Sequence, residues 1–566
     1  MQRVKFFFIK LITVILLLQC LQVEAKQQFS QGVVVSKNEI ASKVGADILA
    51  KGGNAIDAAI GTGYTIGVVE PQGSGIGGGG FALIYLAKTK KLIAVDFRER
   101  APQNINKYPY EFRIGPKAAG IPGTVAGLEY LRKKYGKLDR KQDIEPVIKV
   151  ARQGFPVNKT LNYAITVQQE NIRKFESTKK IYLPNDKVPQ IGDVIKQIDL
   201  ANSLEKIEKG GTQEFYEGGL AKTITDEAQK VGGFLTLNDL KNYKVHEVQP
   251  ICSTYRGKKI CSFPPPSSGG VCIIEALNIL ENFNMPSYQY TSPERIHYVI
   301  EALKFSFADR ATKLGDPRFN KDLNINELTS KDYAKKIAER IKTSEKAIPS
   351  SKVYETAEKP QTTHFTVADK DGNIVAMTMS LNGHLGSKFV VPDTGILLNN
   401  TLDDFSLPDS KPNQFGLIGN DKNFPAPDKT PLSSMSPTIV FDNDKPVLAL
   451  GSPGGPTIIS AVFNTLLAYI DNQMTVEQAV AAGRVHHQWM PDEVYAEKSL
   501  IDEKTQKTLE DKYNYNFPKD NKSVWSRFYW NIQAIELNQN KQSLKGVSDP
   551  RTEQGVVYEK KLGILY

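Results

Sequence analysis

The spacing of apolar residues changes character once along this chain, near residue 362, and that change limits its fold more than any other feature. Upstream, Ile40, Val44, Ile48 and Leu49 recur at helical spacing, Gly52-Gly53 ends that run, and Asn54 is placed to cap a second, Ala-rich helix. Further amphipathic stretches at 124–134 and 293–313 make the region 120–350 mainly helical. From Thr362 onward the pattern becomes short alternating runs joined by Asp-Gly, Asn-Gly and Pro-Gly-Gly turns, with 457–482 the only long helical pattern. Between the halves, 344–361 is rich in Lys, Ser, Glu and Pro and reads as an exposed connector. A length of 566 residues suggests about four domains. At 40% hydrophobic and 24% charged residues the chain can bury a large core. The net charge of +10 is spread among both signs with no block of like charge, which argues against a nucleic-acid partner.

Residues 1–25 read as a secretory signal: Arg3 and Lys5, then the apolar run 11–18, then Val23-Glu24-Ala25 as a small-residue cleavage pattern. Lys10 leaves the apolar run too short for a stable membrane span, so the expected location is secreted or periplasmic. Export permits disulfides. Two β-prone runs flank Arg256-Gly257, and a two-residue turn there sets Cys252 opposite Cys261, predicting a cross-strand bond. Cys272, in an apolar run, then reads as a buried core thiol.

The segment Gly73-Ser-Gly75-Ile-Gly77-Gly78 satisfies the dinucleotide fingerprint, yet a strand-like run, Phe81-Ala-Leu-Ile-Tyr-Leu, follows where a helix would be needed. Close backbone approach beneath a pocket explains these glycines better than a cofactor does. The strongest site candidate is the hairpin that begins Thr362-Thr363-His364, turns at Asp371-Gly372 and ends at Ser380-Leu-Asn382. A three-residue loop sets Thr362 opposite Ser380 and a two-residue turn sets it opposite Leu381; either register brings the Ser380 hydroxyl near Thr362. Taken alone, Thr362 and Thr363 are β-branched residues starting a strand.

Thr-Thr-His-Phe-x-Val-x-Asp-x-Asp-Gly-Asn, followed by Gly395-Ile-Leu-Leu-Asn-Asn400, Asp403-Asp404-Phe-Ser406, Pro431-Leu-Ser433-Ser434-Met-Ser-Pro-Thr438 and Gly451-Ser-Pro-Gly454-Gly455, resembles the γ-glutamyltranspeptidase family. Gly52-Gly53-Asn-Ala-Ile-Asp-Ala, Asp96-Phe-Arg98-Glu, Gly123-Thr-Val-Ala-Gly127, Pro264-Pro-Pro-Ser-Ser-Gly-Gly270 and Ser548-Asp-Pro-Arg551 resemble it in the same order. The resemblance implies an α+β fold, the four-layer αββα sandwich of N-terminal-nucleophile hydrolases. It is one intertwined domain made as a precursor that cuts itself between Gln361 and Thr362. The products are a large subunit, 26–361, and a small subunit, 362–566, held as a heterodimer.

By the same resemblance Thr362 is the nucleophile, its freed α-amine the base, and Gly454 and Gly455 supply oxyanion N–H groups. Thr363 and Ser380 orient the nucleophile. Arg98, Ser433 and Ser434 take the substrate α-carboxylate, and Asp404 and Asn382 its α-ammonium. The implied substrates are glutathione and related γ-glutamyl compounds, with water, amino acids or dipeptides as acceptors, and no cofactor or metal. Thr401 stands where the family has Gln or Glu, so an amine contact is weakened or passes to water. Ser380 replaces the usual Thr and keeps the hydroxyl, and Phe415 replaces an aromatic that is often Tyr in a lid-like stretch, 412–416, which would let the lid open more easily. A cephalosporin or glutaryl acylase of like fold and a non-catalytic secreted binding protein are the alternative readings; the paired Asp404 and Asn382 weigh against the first and the intact Thr362 set against the second.

Overall fold

The computed structural model describes residues 29–106, 113–344, 346–348, 350, 362–407, 411–518 and 531–560. The signal segment, Gln361 and most of the 344–361 connector lie outside the described residues.

Two antiparallel sheets stack at the centre. In chain order their strands are β1 (Val33–Ser36), β2 (Gly79–Leu86), β3 (Lys91–Asp96), β4 (His246–Val248), β5 (Ile251–Tyr255), β6 (Lys258–Ser262), β7 (Thr363–Ala368) and β8 (Ile374–Ser380), then β9 (Thr438–Asp442), β10 (Lys445–Gly451), β11 (Gln533–Asn538), β12 (Ser543–Ser548) and β13 (Gly555–Tyr558). One sheet runs β13-β1-β7-β8-β2-β3-β4 and the other β12-β11-β10-β9-β6-β5.

Side-chain alternation explains the layers, because successive residues of a strand point to opposite faces. On β2, Phe81, Leu83 and Tyr85 join the core between the sheets, whereas Ala82 and Ile84 face a helical layer. On β9, Ile439 and Phe441 enter the same central core while Val440 faces helices on the far side. Phe81 and Phe263 meet across the sheets with ring centroids 4.2 Å apart. Strands buried on both faces carry nearly unbroken apolar runs, and β8 is buried along its whole length.

The first helical layer includes α1 (Glu39–Ala50) and α2 (Ala55–Val69). Asn54 closes a capping box with Asp57, and Gly52 at φ 96 ends the preceding helix. The opposite layer includes α3 (Gly269–Leu280), α4 (Pro293–Lys313) and α5 (Thr457–Ile470). The expected 457–482 helix is interrupted: α5 stops at Ile470, Gln473 takes φ 50, and Thr475 caps a separate helix, Val476–Ala481. The polar run Asp471-Asn-Gln offers no apolar face to continue the first helix.

The β5–β6 hairpin turns at Arg256 (φ 46) and Gly257 (φ 78) and pairs Cys252 with Cys261. The two are joined by a disulfide with Cα atoms 4.2 Å apart. Cys272 is a buried free thiol, its pKa pushed up chiefly by burial.

Candidate active site

The β7–β8 hairpin has the register of the three-residue loop. Met379 pairs with Thr363 and Ile374 with Ala368, which continues to Thr362 opposite Ser380. The two hydroxyl oxygens stand 3.3 Å apart. The glycine-rich segment lies against this hairpin: a Cβ on Gly78 would fall 2.2 Å from the Ser380 carbonyl oxygen, and one on Gly73 would sit 3.2 Å from that of Thr362. The backbone needs those positions bare, which accounts for the fingerprint-like glycines without a nucleotide.

A cleft of ≈ 290 Å³ opens at Thr362, lined among others by Arg98, Ser380, Asn382, Asp404, Ser433, Ser434 and Gly455. Arg98 follows β3 and is 2% exposed, so it is no surface ion-pair residue. Its Nη2 donates to Asp404 Oδ2 at 2.5 Å, and its Nε donates to the Pro431 carbonyl at 3.4 Å. Asp404 sits in the turn Thr401–Asp404 and accepts from Asn413 Nδ2 at 3.3 Å. Burial pushes the Asp404 carboxyl up to about 7, with Arg98 pulling the other way. Asn382 adopts φ 79 and donates its backbone N–H to Ser380 Oγ at 2.8 Å, tying it to the residue opposite Thr362.

The Pro-Pro-Pro-Ser-Ser loop ahead of α3 holds the other wall. Ser268 N–H donates to the Ser433 carbonyl at 2.8 Å, and Ser433 N–H returns to the Pro266 carbonyl at 2.9 Å. Gly454 (φ 127) and Gly455 (φ 54) form the turn into α5. Gly455 lines the cleft, and Gly454 stands directly before it at the positive end of the α5 dipole.

Three expected residues do not reach the cleft lining. Thr363 turns its hydroxyl to Glu70 Oε2 at 2.9 Å, and Lys37 Nζ pairs with the same oxygen at 3.0 Å. Thr401 is fully buried and donates to Glu99 Oε1 at 2.9 Å, so it stands away from an incoming amine. Gly454 is the third. Phe415 does line the cleft; its carbonyl accepts from Gln488 Nε2 at 3.2 Å and its N–H donates to Asn413 Oδ1 at 3.0 Å, so backbone contacts hold this stretch.

Sequence reasoning missed Arg310, which lines the cleft from α4, and Glu70, which anchors Thr363. Glu70 follows the apolar helix Ala55–Val69 as its cap, a visible signal, whereas Arg310 lies among Asp309, Thr312 and Lys313 and nothing local sets it apart.

No histidine is placed to serve as base. His364 is wholly buried between Thr378 Oγ1 at 2.8 Å and Thr366 Oγ1 at 3.2 Å, and burial pulls its pKa down to about 3. The cleft thus offers the Thr362 hydroxyl no histidine among the described residues of its lining. Among the described residues no group of three His, Cys, Asp or Glu side chains is placed to hold a metal ion.

A sequence profile described as gamma-glutamyltranspeptidase matches residues 41–558. The chain is 42% identical over 537 residues to the glutathione hydrolase proenzyme of Escherichia coli (strain K12), covering 92% of this chain and 90% of that one. It is 38% identical over 546 residues to the glutathione hydrolase proenzyme of Bacillus subtilis (strain 168), again covering 92% and 90%. Among solved structures, a cephalosporin acylase from Bacillus halodurans superposes with TM-score 0.81 at 27% identity over 94% of this chain and 96% of its own. The Helicobacter pylori gamma-glutamyltranspeptidase does so with TM-score 0.53 at 38% identity over 56% of this chain and 93% of its own.

Proposed function

We propose, since this chain belongs to the gamma-glutamyltranspeptidase family, that it is an exported glutathione hydrolase and γ-glutamyltransferase working through a γ-glutamyl-Thr362 ester. The observation that carries this reading is the cleft itself, where the Thr362 hydroxyl shares one cavity with a guanidinium, a carboxylate and an amide suited to an amino-acid head group.

The precursor first hydrolyses the 361–362 peptide bond, which frees the Thr362 α-amine. That amine has a reference pKa of about 7.7–8 and is partly neutral at neutral pH. It removes the Thr362 hydroxyl proton as Oγ attacks the γ-carbonyl of the donor. The amide N–H groups of Gly454 and Gly455 stabilise the oxyanion, and the amine then protonates the departing nitrogen, so Cys-Gly leaves from glutathione. Water or an acceptor amine attacks the ester, and Thr362 regains its proton. Arg98, Ser433 and Ser434 receive the donor's α-carboxylate while Asp404 and Asn382 receive its α-ammonium. Binding energy from this distant head group aligns the carbonyl with Oγ. The name "proenzyme" on both relatives supports the two-chain form. Residues 1–25 support export, and among the described residues no helix is long and apolar enough to cross a membrane.

The likeness to a cephalosporin acylase favours one second reading, an acylase for glutaryl groups, which lack the α-amine. Asp404 beside Asn382 in the cleft argues for the γ-glutamyl group instead. On a denaturing gel the mature protein is expected as two bands, and Thr362→Ala as one inactive band. Wild-type protein that stays intact while active would refute the mechanism. Faster release from glutaryl-p-nitroanilide than from γ-glutamyl-p-nitroanilide would decide for the acylase.

A further inference from the structure

Arg310 is 5% exposed and, like Arg98, lines the cleft, reaching it from the last turn of α4. Its single hydrogen bond among the described residues runs from Nε to Ser268 Oγ at 3.0 Å. No carboxylate of the described residues lies within ion-pair distance of it, although the Asp404 charge acts on it through space. Of the other buried arginines, Arg98 holds Asp404, Arg100 pairs with Asp428 at 3.4 Å, Arg484 holds Asp549 at 2.9 Å, and Arg295, which has no ion pair among the described residues either, lies 4.4 Å over the Tyr290 ring while donating to Asn472 Oδ1 at 3.2 Å. A buried cation without a direct ion-pair partner is costly, and an anion entering the cleft would offset that cost.

Charge balance indicates which anion. The cleft is lined by two guanidiniums, Arg98 and Arg310, and one carboxylate, Asp404, with Glu99 3.8 Å from Arg98 outside the lining. A γ-glutamyl donor brings an ammonium and a carboxylate. When Asp404 turns to the ammonium, Arg98 loses its short hydrogen bond and keeps Glu99 at 3.8 Å, and both guanidiniums can then take the donor's carboxylate, whose two oxygens offer enough lone pairs for both. Ser268 places Arg310 beside Ser433, since the Ser268 hydroxyl also donates to the Ser433 carbonyl at 2.6 Å.

We propose that Arg310 is a substrate-contacting residue that shares the donor's α-carboxylate with Arg98 and sets the requirement for that group. The proposal rests on the γ-glutamyl reading of the cleft. Wild-type protein that does not turn over γ-glutamyl-p-nitroanilide would fail that reading, whereas the comparison below fails this proposal alone.

The test compares γ-glutamyl-p-nitroanilide with 4-aminobutyryl-p-nitroanilide, which keeps the amine and lacks the α-carboxylate. Arg310→Met is expected to raise KM for the first by roughly 10- to 100-fold, the range for losing a charged hydrogen bond, with kcat much less affected. Turnover of the second should stay within about threefold of wild type by the same scale, and Arg310→Lys should recover part of the loss. Equal losses on both substrates, or no loss on either, would overturn the proposal.

A measurement on wild-type protein covers the case in which the Arg310 variants do not mature. Arg310 should be modified by phenylglyoxal in the free enzyme, protected by L-glutamate and left unprotected by 4-aminobutyrate at equal occupancy. Equal protection by the two ligands would count against carboxylate contact.

Discussion

At the scale of single residues, environment rather than identity decides which groups do chemistry. Asp404 is ordinary as a residue type, but burial raises its pKa to about 7 while Arg98 keeps it partly charged. An acid with a raised pKa is neutral below that value, so its capacity to hold a substrate ammonium appears as pH rises through about 7. The acid limb of kcat/KM, which reports the free enzyme, should therefore contain two ionisations, Asp404 and the Thr362 amine. In Asp404→Asn the first should vanish and the second remain, with kcat/KM for γ-glutamyl-p-nitroanilide down on the order of 100-fold. A pH profile unchanged by that substitution would remove Asp404 from donor recognition. The histidines show the same rule in reverse: burial holds His364 and His486 at about 3, so neither takes up a proton in the working pH range.

At the scale of elements, the hairpin β7–β8 and the glycine segment packed on it set the position of Thr362, the proposed nucleophile. A methyl group on Gly78 would meet the Ser380 carbonyl oxygen at 2.2 Å, a backbone atom that has no rotamer to escape into. Gly78→Ala should thus shift the strand that carries Ser380 and give little two-chain protein on a denaturing gel, whereas the same change at Gly52, where no atom lies within 4 Å, should leave maturation intact. Although Gly52 has φ 96, alanine there costs roughly 1–3 kcal/mol and leaves the site untouched. The β5–β6 hairpin is a second closed unit. A non-reduced digest should yield the Cys252 and Cys261 peptides linked and the Cys272 peptide free; finding both hairpin thiols free would contradict the pairing.

At the scale of the whole molecule, both sheets contain strands from both sides of the 361–362 bond. β7 and β8 are inserted between β1 and β2, while β9 pairs with β6. Cutting the chain before Thr362 leaves these ladders and the shared cores in place. The two products should co-elute from a sizing column in native buffer and separate only in denaturant; separation without denaturant would contradict this interleaving. Much of this was legible in the sequence. The helix caps at Asn54, the turns at Arg256-Gly257 and Asp371-Gly372, the disulfide and the nucleophile hairpin are local, and local spacing encodes them. The breaks were not: the end of α5 at Ile470 depends on what the next turn would face, and the turning of Thr401 and Thr363 toward Glu99 and Glu70 depends on carboxylates about 300 positions away in the chain. The sequence by itself determined the elements, the motifs and the candidate nucleophile. Only the tertiary structure decided which charges are paired and which, like Arg310, are left facing the cleft, because burial and counter-ions come from residues far apart in the chain that only packing brings together.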